Sequence, residues 1–475
     1  MLGESSQADD IVFRAKNATA IFSQYGQAEV DNIVRAVYQA VFNERVRLAK
    51  MAVEETGIGK WQDKVMKNVV ASQLVYEDIK NVKTVGIINE DFAKGIIEIA
   101  QPLGPIFAII PVTNPTSTII YKILISLKTR NPIIIHPHRL AVNCSIETAR
   151  ICYEAALAAD APEDCIQWVK GFGREDTQAL MSNPDIALIL ATGGTSLVKA
   201  AYSSGTPAIG VGAGNVPVFI ENSADIDFAV DNILSSKLFD NGTVCASEQS
   251  IVVESAIAGK VRQKLLDSKA YFLNPEEIEK VQKVAYDVEK DVMKVEVVGQ
   301  SVKVIAGLAG INVPDDTSLL VAPLDIVGKE APLSNEILAP IIAFYVEKDF
   351  EHAVKRCIDL NFHGGVGHTA SIFSNDDEII KKFSLIMNAG RIVVNMPSSQ
   401  GAVGLGSGLS PSLTLGCGTG GKNITTDNIT AVHLLNIQRI ARRRSNELYD
   451  KFDKSKYLDE NYNLKDLETE FYKNK

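Results

Sequence analysis

The sequence predicts an α/β protein built from two α/β domains, with a β-hairpin on the first. Three observations lead there. The chain has 475 residues, beyond the ~150 to 250 that usually make one domain. From residue 105 onward, short apolar runs alternate with helical stretches. Continuous Ile/Val/Leu runs fit strands buried on both faces, so the alternation implies βαβ units in a parallel sheet. A second pattern of the same kind begins beyond an Asp-Asn-Gly turn near residue 240.

Residues 6 to 80 read as helices, because Val30, Ile33, Val34, Val37 and Val41 recur at three- and four-residue spacing and form one apolar stripe. VGIINEDFAKGIIEIAQPLG, residues 85 to 104, is two β-rich runs around an acidic, glycine-containing turn. It reads as a hairpin that either edges its own domain or pairs with another subunit. IFAIIP (106 to 111), PIIIHP (132 to 137), CIQWV (165 to 169) and IALILATGG (186 to 194) read as strands, each leading into a helix. Ligands of such sheets sit outside the carboxyl ends of the strands, which points to 111 to 114, 136 to 139 and 192 to 195. After a helical 226 to 239 and the turn, further strands are expected at 249 to 254, 318 to 323, 341 to 346, 369 to 374 and 391 to 395. The Gly/Ser-rich stretch 401 to 421 reads as a long loop ordered by packing or ligand. The charged tail from 445 reads as a solvated helix or a partly disordered extension. The expected domains are 1 to 240, with a hairpin arm at about 84 to 100, then 241 to 430, then an extension at 431 to 475.

A net charge of -10 disfavours polyanion binding, and the short run Arg442, Arg443, Arg444 reads as a solvated helix end, so no nucleic-acid partner is expected. No apolar stretch approaches the ~18 to 20 residues of a membrane helix. MLGESSQADD has neither a basic nor an apolar leader region, so secretion is not expected. The six cysteines (144, 152, 165, 245, 357 and 417) form no C-x-x-C pair. No metal is expected, and the usage suggests a reducing cytoplasm.

A cysteine nucleophile needs access and freedom from tight apolar packing. Cys144, Cys152, Cys165 and Cys357 lie within or beside helix and strand patterns, where core filling is the default. Cys245, on the turn in DNGTVCASEQS, and Cys417, in LTLGCGTGGKN, remain as candidates. TGG at 192 to 194 opens a helix after a strand, where backbone could approach an anion. GVGAGN (210 to 215) is a second glycine cluster. Neither is a dinucleotide fingerprint and no Walker A lysine follows, so each alone is a weak signal whose plain reading is a tight turn.

PVTNPTS, ATGG, GVGAGNVP, FDNGTVCASEQS, NEILAP, GHTASIFS and LTLGCGTGG occur in this order across almost the whole chain. The set resembles the aldehyde dehydrogenase superfamily, in particular its CoA-acylating branch and the aldehyde dehydrogenase half of bifunctional aldehyde-alcohol dehydrogenases. The likeness runs from about residue 10 to about 440; no counterpart of an iron-dependent alcohol dehydrogenase half is expected. It implies an NAD-binding Rossmann-like domain, a catalytic domain and an oligomerising hairpin. Cys245 matches the nucleophile. Asn114 matches the oxyanion donor; a helix N-cap before Pro115 is compatible with that role. Thr192, Gly193, Gly194 and Thr195 match the loop under the cofactor pyrophosphate, and Thr113 and Gly212 fall in matching segments of the cofactor site. Glu336 matches the glutamate on the nicotinamide ribose. His136 stands where many relatives carry a lysine at the adenine ribose.

Hydrolytic members carry a water-activating glutamate in an ELGG segment. Here the stretch reads IGVGAGN, with no acid from Ala208 to Phe219. A positioned base contributes ~10² to 10⁴-fold, so its absence favours transfer of the acyl group to a thiol. His368 matches a histidine of the acylating branch, where its ordinary pKa range suits proton handling; a structural role competes. His363 reads as a loop residue, and Glu248 as a turn cap. The resemblance implies an NAD-dependent, CoA-acylating dehydrogenase of short aldehydes, acetaldehyde first, in a homodimer or larger assembly, cytoplasmic or inside a bacterial enzyme compartment. The rivals are a CoA-acylating succinate-semialdehyde dehydrogenase, a hydrolytic enzyme and a non-catalytic assembly protein.

Overall fold

The computed structural model describes residues 7–443 and 453–472. The chain divides into two compact units, one of 1–84 and 102–435 and the other of 85–101 and 436–475.

The larger unit opens with the expected helices, Gln7–Phe22, Gln27–Asn43, Arg45–Thr56 and Trp61–Val69. The valine and isoleucine stripe of the second is wholly buried. With β1 (Gly86–Asp91) and β2 (Ile96–Pro102) in the smaller unit, five parallel strands follow: β3 (Ile106–Ile109), β4 (Ile133–His136), β5 (Ile166–Trp168), β6 (Leu188–Thr192) and β7 (Ala208–Val211). They stand in the order β5-β4-β3-β6-β7. The strand order therefore reverses beside β3, where this class of sheet opens a crevice.

A second sheet contains β8 (Val216–Ile220), β9 (Glu248–Glu254), β10 (Ala270–Phe272), β13 (Leu319–Pro323), β14 (Ile341–Glu347), β15 (Gly367–Phe373) and β16 (Ala389–Val394); a two-stranded ribbon supplies β11 (Tyr286–Asp287) and β12 (Val292–Met293). The order is β10-β13-β14-β9-β8-β15-β16, with every pairing parallel. Val218, Ile220, Ile251 and Val253 face one core, while their neighbours Phe219 and Val252 face the core on the other side. Burial on both faces is why these strands read as unbroken apolar runs. Each such side chain contributes roughly 1.5–3 kcal/mol when fully removed from water.

The change of sheet corrects the expected boundary. β8 and the helix Ile226–Lys237 behind it already belong to the second sheet, so the crossing falls between Val211 and Val216 and not near 240. VPVFI looks like one more strand of the first series, and only its long-range pairing with β9 and β15 decides otherwise. Pro217 is accommodated by a register shift against β9, as strand prolines usually are.

In the smaller unit, β1 and β2 form the expected antiparallel hairpin, joined by β17 (Leu435–Ala441) in the order β1-β2-β17. The hairpin and the extension, expected as separate appendages, thus share one unit. Arg442 and Arg443 follow a strand and not a helix, and Arg444 lies outside the described residues. Of the tail, 444–452 and 473–475 also lie outside them; Leu464–Tyr472 is helical. No described helix is long and apolar enough to cross a membrane.

Candidate active site

The carboxyl ends of β3 and β6 face the amino ends of strands of the larger sheet. From the first side come Thr113 and Asn114 after β3, and 192 to 195 after β6. From the second come Cys245 just before β9, Glu336 before β14, and His368 at the start of β15.

Cys245 sits on the expected turn. Ahead of it Asp240, Asn241 and Gly242 all have left-handed backbone, at φ 50°, 52° and 78°. At Gly242 a side chain would meet the Ala339 carbonyl oxygen at 2.8 Å, so glycine is required twice over. The other five cysteines are buried, and Cys245 is half-buried. It borders a cavity of about 250 Å³ whose apolar wall includes Met66, Val70, Phe239, Val244, Leu413 and Leu415. Lys67, Asn114 and Thr192 share the lining. Burial pushes the Cys245 thiol up to about 12; Glu336 and Cys417 add to this, while Arg391 and Lys67 oppose it.

Asn114 occupies the N-cap position of the helix Pro115–Lys128, yet its side chain makes no capping bond. The N-cap position is thus filled as expected, while the side-chain amide is left to other partners. Its Nδ2 donates to Thr113 Oγ1 at 3.1 Å and its Oδ1 accepts from Lys67 Nζ at 2.6 Å. Lys67 was not foreseen. It lies on the helix Trp61–Val69, whose buried residues are Lys64, Lys67 and Asn68. Its ammonium also donates to Thr243 Oγ1 at 3.0 Å and to the buried Asp240 carboxylate. Lys64 Nζ reaches the same Asp240 oxygen at 2.9 Å and the Thr113 carbonyl at 2.8 Å. Burial lowers Lys67 to about 8, against the pull of Asp240.

Behind Cys245 runs the glycine segment that links the two sheets. A Cβ on Gly214 would fall 2.2 Å from the Cys245 carbonyl oxygen and 3.1 Å from two ring carbons of His368. The Gly214 N–H donates to Glu336 Oε1 at 2.9 Å. Burial raises Glu336 to about 7, opposed by that bond and by Lys237. His368 is buried, with Nδ1 at 2.9 Å from Thr369 Oγ1 and with no partner on Nε2. Burial, then Arg391, lowers it to about 3, so the imidazole is neutral at physiological pH, contrary to the ordinary range expected. Arg391 is itself buried and donates to the carbonyls of His368, Gly416 and Thr426 at 2.9, 2.6 and 2.9 Å.

At the crevice, Gly194 caps the helix Thr195–Tyr202, and Gly212 lies beside it, where a Cβ would make ordinary contact with Thr195 Oγ1 at 3.9 Å. The Thr192 hydroxyl is buried without a partner, an orphaned donor that a bound cofactor could satisfy. His136 stands apart from this group at the end of β4. Its Nε2 is 2.9 Å from Thr177 Oγ1, and burial lowers its pKa. Cys417 is buried, and its thiol is raised to about 11 by burial. His363 closes the helix Phe350–Gly364 and is not a loop residue. Glu248 is no turn cap: it is buried on β9, where its Oε1 accepts the Ser398 N–H at 2.8 Å.

A cysteine beside an amide donor, at a crevice between two parallel sheets, agrees with what comparison of the whole chain finds. Residues 1–414 match the model of the aldehyde dehydrogenase family. The chain belongs to that family. It is similar to the bifunctional aldehyde-alcohol dehydrogenase AdhE of Escherichia coli (strain K12), 44% identical over 458 residues, which are 95% of this chain and 51% of that protein. The chain thus spans about half the length of that curated relative. Among solved structures, it is similar to an acetylating aldehyde dehydrogenase from Geobacillus thermoglucosidasius. The identity is 47%, the TM-score 0.90, and the match covers 93% of this chain and 97% of that one. It is also similar to a succinate-semialdehyde dehydrogenase (acetylating) of Clostridium kluyveri, 35% identical over 432 residues, 91% of this chain and 94% of that protein. Against this aldehyde dehydrogenase frame, Lys67 and Asp240 are the additions that local sequence did not announce. The available signal was polar: Lys64, Lys67 and Asn68 recur at helical spacing, a stripe of amine and amide on the face that packs inward.

Proposed function

We propose that the chain is an NAD-dependent, CoA-acylating aldehyde dehydrogenase acting on a short aldehyde, with acetaldehyde the first candidate. The net reaction converts aldehyde, CoA and NAD⁺ to acyl-CoA, NADH and a proton, reversibly. The observation that carries this reading is Cys245 opening onto a mostly apolar cavity with Asn114 in the same wall, backed by a glycine segment without a carboxylate.

The Cys245 thiolate attacks the aldehyde carbon to give a thiohemiacetal. The developing oxyanion takes hydrogen bonds from Asn114 Nδ2 and the Cys245 N–H; one such donor is worth about 2.7–4 kcal/mol in acyl-transfer enzymes. NAD⁺, when bound, accepts the hydride. Thr192 to Thr195, Thr113, Gly212 and Glu336 would hold it, with His136 at the far edge. Collapse leaves a thioester on Cys245, which the CoA thiol resolves. His368 is neutral with Nε2 unpaired, and so lowered a pKa makes it too weak a base to draw the proton from a thiol; the CoA thiol reacts through its own ionised fraction, and His368 forms a neutral wall against Gly214. Between Ala208 and Phe219 there is no acid to activate water, whereas a thiol ionises more readily near neutral pH and needs less help.

Succinate semialdehyde is the second substrate reading, favoured by the Clostridium kluyveri relative. It would need a cation for its carboxylate. The lysine in the cavity lining, Lys67, is bound to Asp240, which favours an uncharged aldehyde. A homo-oligomer and, from six unpaired cysteines, a cytoplasmic setting complete the proposal. The test follows NADH formation from acetaldehyde and from succinate semialdehyde, with and without CoA, and identifies the acyl product by mass. The expectation is CoA-dependent NADH formation with acetyl-CoA as product. Equal rates without CoA, with free acetate formed, would overturn the acylating reading.

A further inference from the structure

We propose that Lys67 is a positioning residue for this reaction, fixing which way round the Asn114 amide faces Cys245. The inference rests on the reading of Asn114 as the oxyanion donor.

An amide side chain can be turned over, exchanging its acceptor for its donor. Only one orientation places N–H groups where an oxyanion forms. Lys67 lines the same cavity and donates to Asn114 Oδ1 at 2.6 Å. An ammonium has donors and no acceptor, so it excludes the flipped amide, in which Nδ2 would meet Nζ. With Oδ1 held, one Nδ2 proton goes to Thr113 Oγ1 and the other remains for the substrate oxygen.

The ammonium is itself held. Its remaining protons go to Thr243 Oγ1 and to Asp240. Asp240 is fixed in turn by Lys64 Nζ at 2.9 Å and by the Lys60 N–H at 2.7 Å, and its own N–H donates to Asp63 at 2.8 Å. Thr243 stands two residues before the nucleophile, and Asp240 begins the left-handed turn that presents it. One buried lysine thus ties the amide of the first sheet to the cysteine turn of the second. Its three protons are committed, so Lys67 acts through Asn114 and not on the substrate.

The experiment is a double-mutant cycle on the full chain with acetaldehyde, NAD⁺ and CoA. Lys67→Met is expected to lower kcat about 10- to 100-fold, as loss of orientation does, with KM for the aldehyde changed less than about threefold. Asn114→Ala is expected to cost about 100- to 1000-fold. In the Asn114→Ala background, Lys67→Met should then cost no more than about threefold further, because coupled residues are not additive. Alkylation of Cys245 by iodoacetamide, which needs no oxyanion donor, should slow by less than about threefold in Lys67→Met, the small part of the thiolate that the lost ammonium drew out. Losses that multiply, or alkylation that falls with kcat, overturn the inference while leaving Asn114 in its role. An Asn114→Ala enzyme with unchanged kcat overturns the role of Asn114 and the inference with it. Should Lys67→Met not fold, Lys67→Gln, whose amide falls a bond short of Asn114, goes through the same cycle with the same criteria.

Discussion

Cys245 experiences opposing influences. Burial and the neighbouring Glu336 hold its proton on, and Arg391 and Lys67 draw the thiolate out. The raised pKa has a definite sign: below it, the thiolate fraction climbs tenfold with each pH unit. Alkylation of the cofactor-free protein at Cys245 should therefore keep rising from pH 7 to pH 10 without a plateau, read as the iodoacetamide rate by peptide mass. A plateau below pH 9 would mean the cation side prevails. Cys245→Ala should abolish NADH-linked turnover while leaving the melting temperature nearly unchanged, since the side chain borders a cavity. Thr192→Val removes a hydroxyl that has no partner in the protein. It should leave the free protein at least as stable, because no hydrogen bond is lost, yet weaken NAD binding about two- to tenfold, as titration calorimetry would show.

At the scale of elements, the glycine segment between β7 and β8 is the most constrained piece. Gly214→Ala sets a Cβ 2.2 Å from the carbonyl oxygen of Cys245. It should destabilise by about 1–3 kcal/mol through overpacking, seen in denaturant unfolding, and lower kcat because the cysteine turn must shift. Legibility in the sequence also divides by element. The rule that ligands gather after strands found Asn114 and Thr192, since β3 and β6 end at the crevice. Cys245, Glu336 and His368 stand before their strands, so that rule passes over them; the turn around Cys245 marked it out among the cysteines, and only the ordered family motifs pointed to Glu336 and His368. Lys67 escaped because a lysine within a helix is normally read as solvated, and its partners Asp240 and Thr243 lie more than 170 positions away. β17 was missed for a related reason: alternating Asn436, Gln438 and Arg439 carry no run of apolar residues, and its pairing with β2 is long-range.

On the scale of the whole molecule, the five-stranded sheet supplies the crevice and the seven-stranded sheet supplies the sulfur. A ligand lying between them stabilises the native state by mass action, about 2.7 kcal/mol at a hundred times its Kd. NAD added at that level should raise the thermal midpoint by a few degrees, and Thr192→Val should shrink the rise. The glycine segment has one more consequence. Because the segment carries no carboxylate of its own, the one acid beside it, Glu336, is tied to the Gly214 N–H, and His368 fills the space against Gly214, cleavage by solvent should be slow. Supplied with aldehyde and NAD⁺ but starved of CoA, the protein should stall after a single turnover, its sulfur still loaded. Intact-mass measurement would then count the stalled molecules, so the acid-free bend between the sheets makes the enzyme a recorder of its own half-reaction.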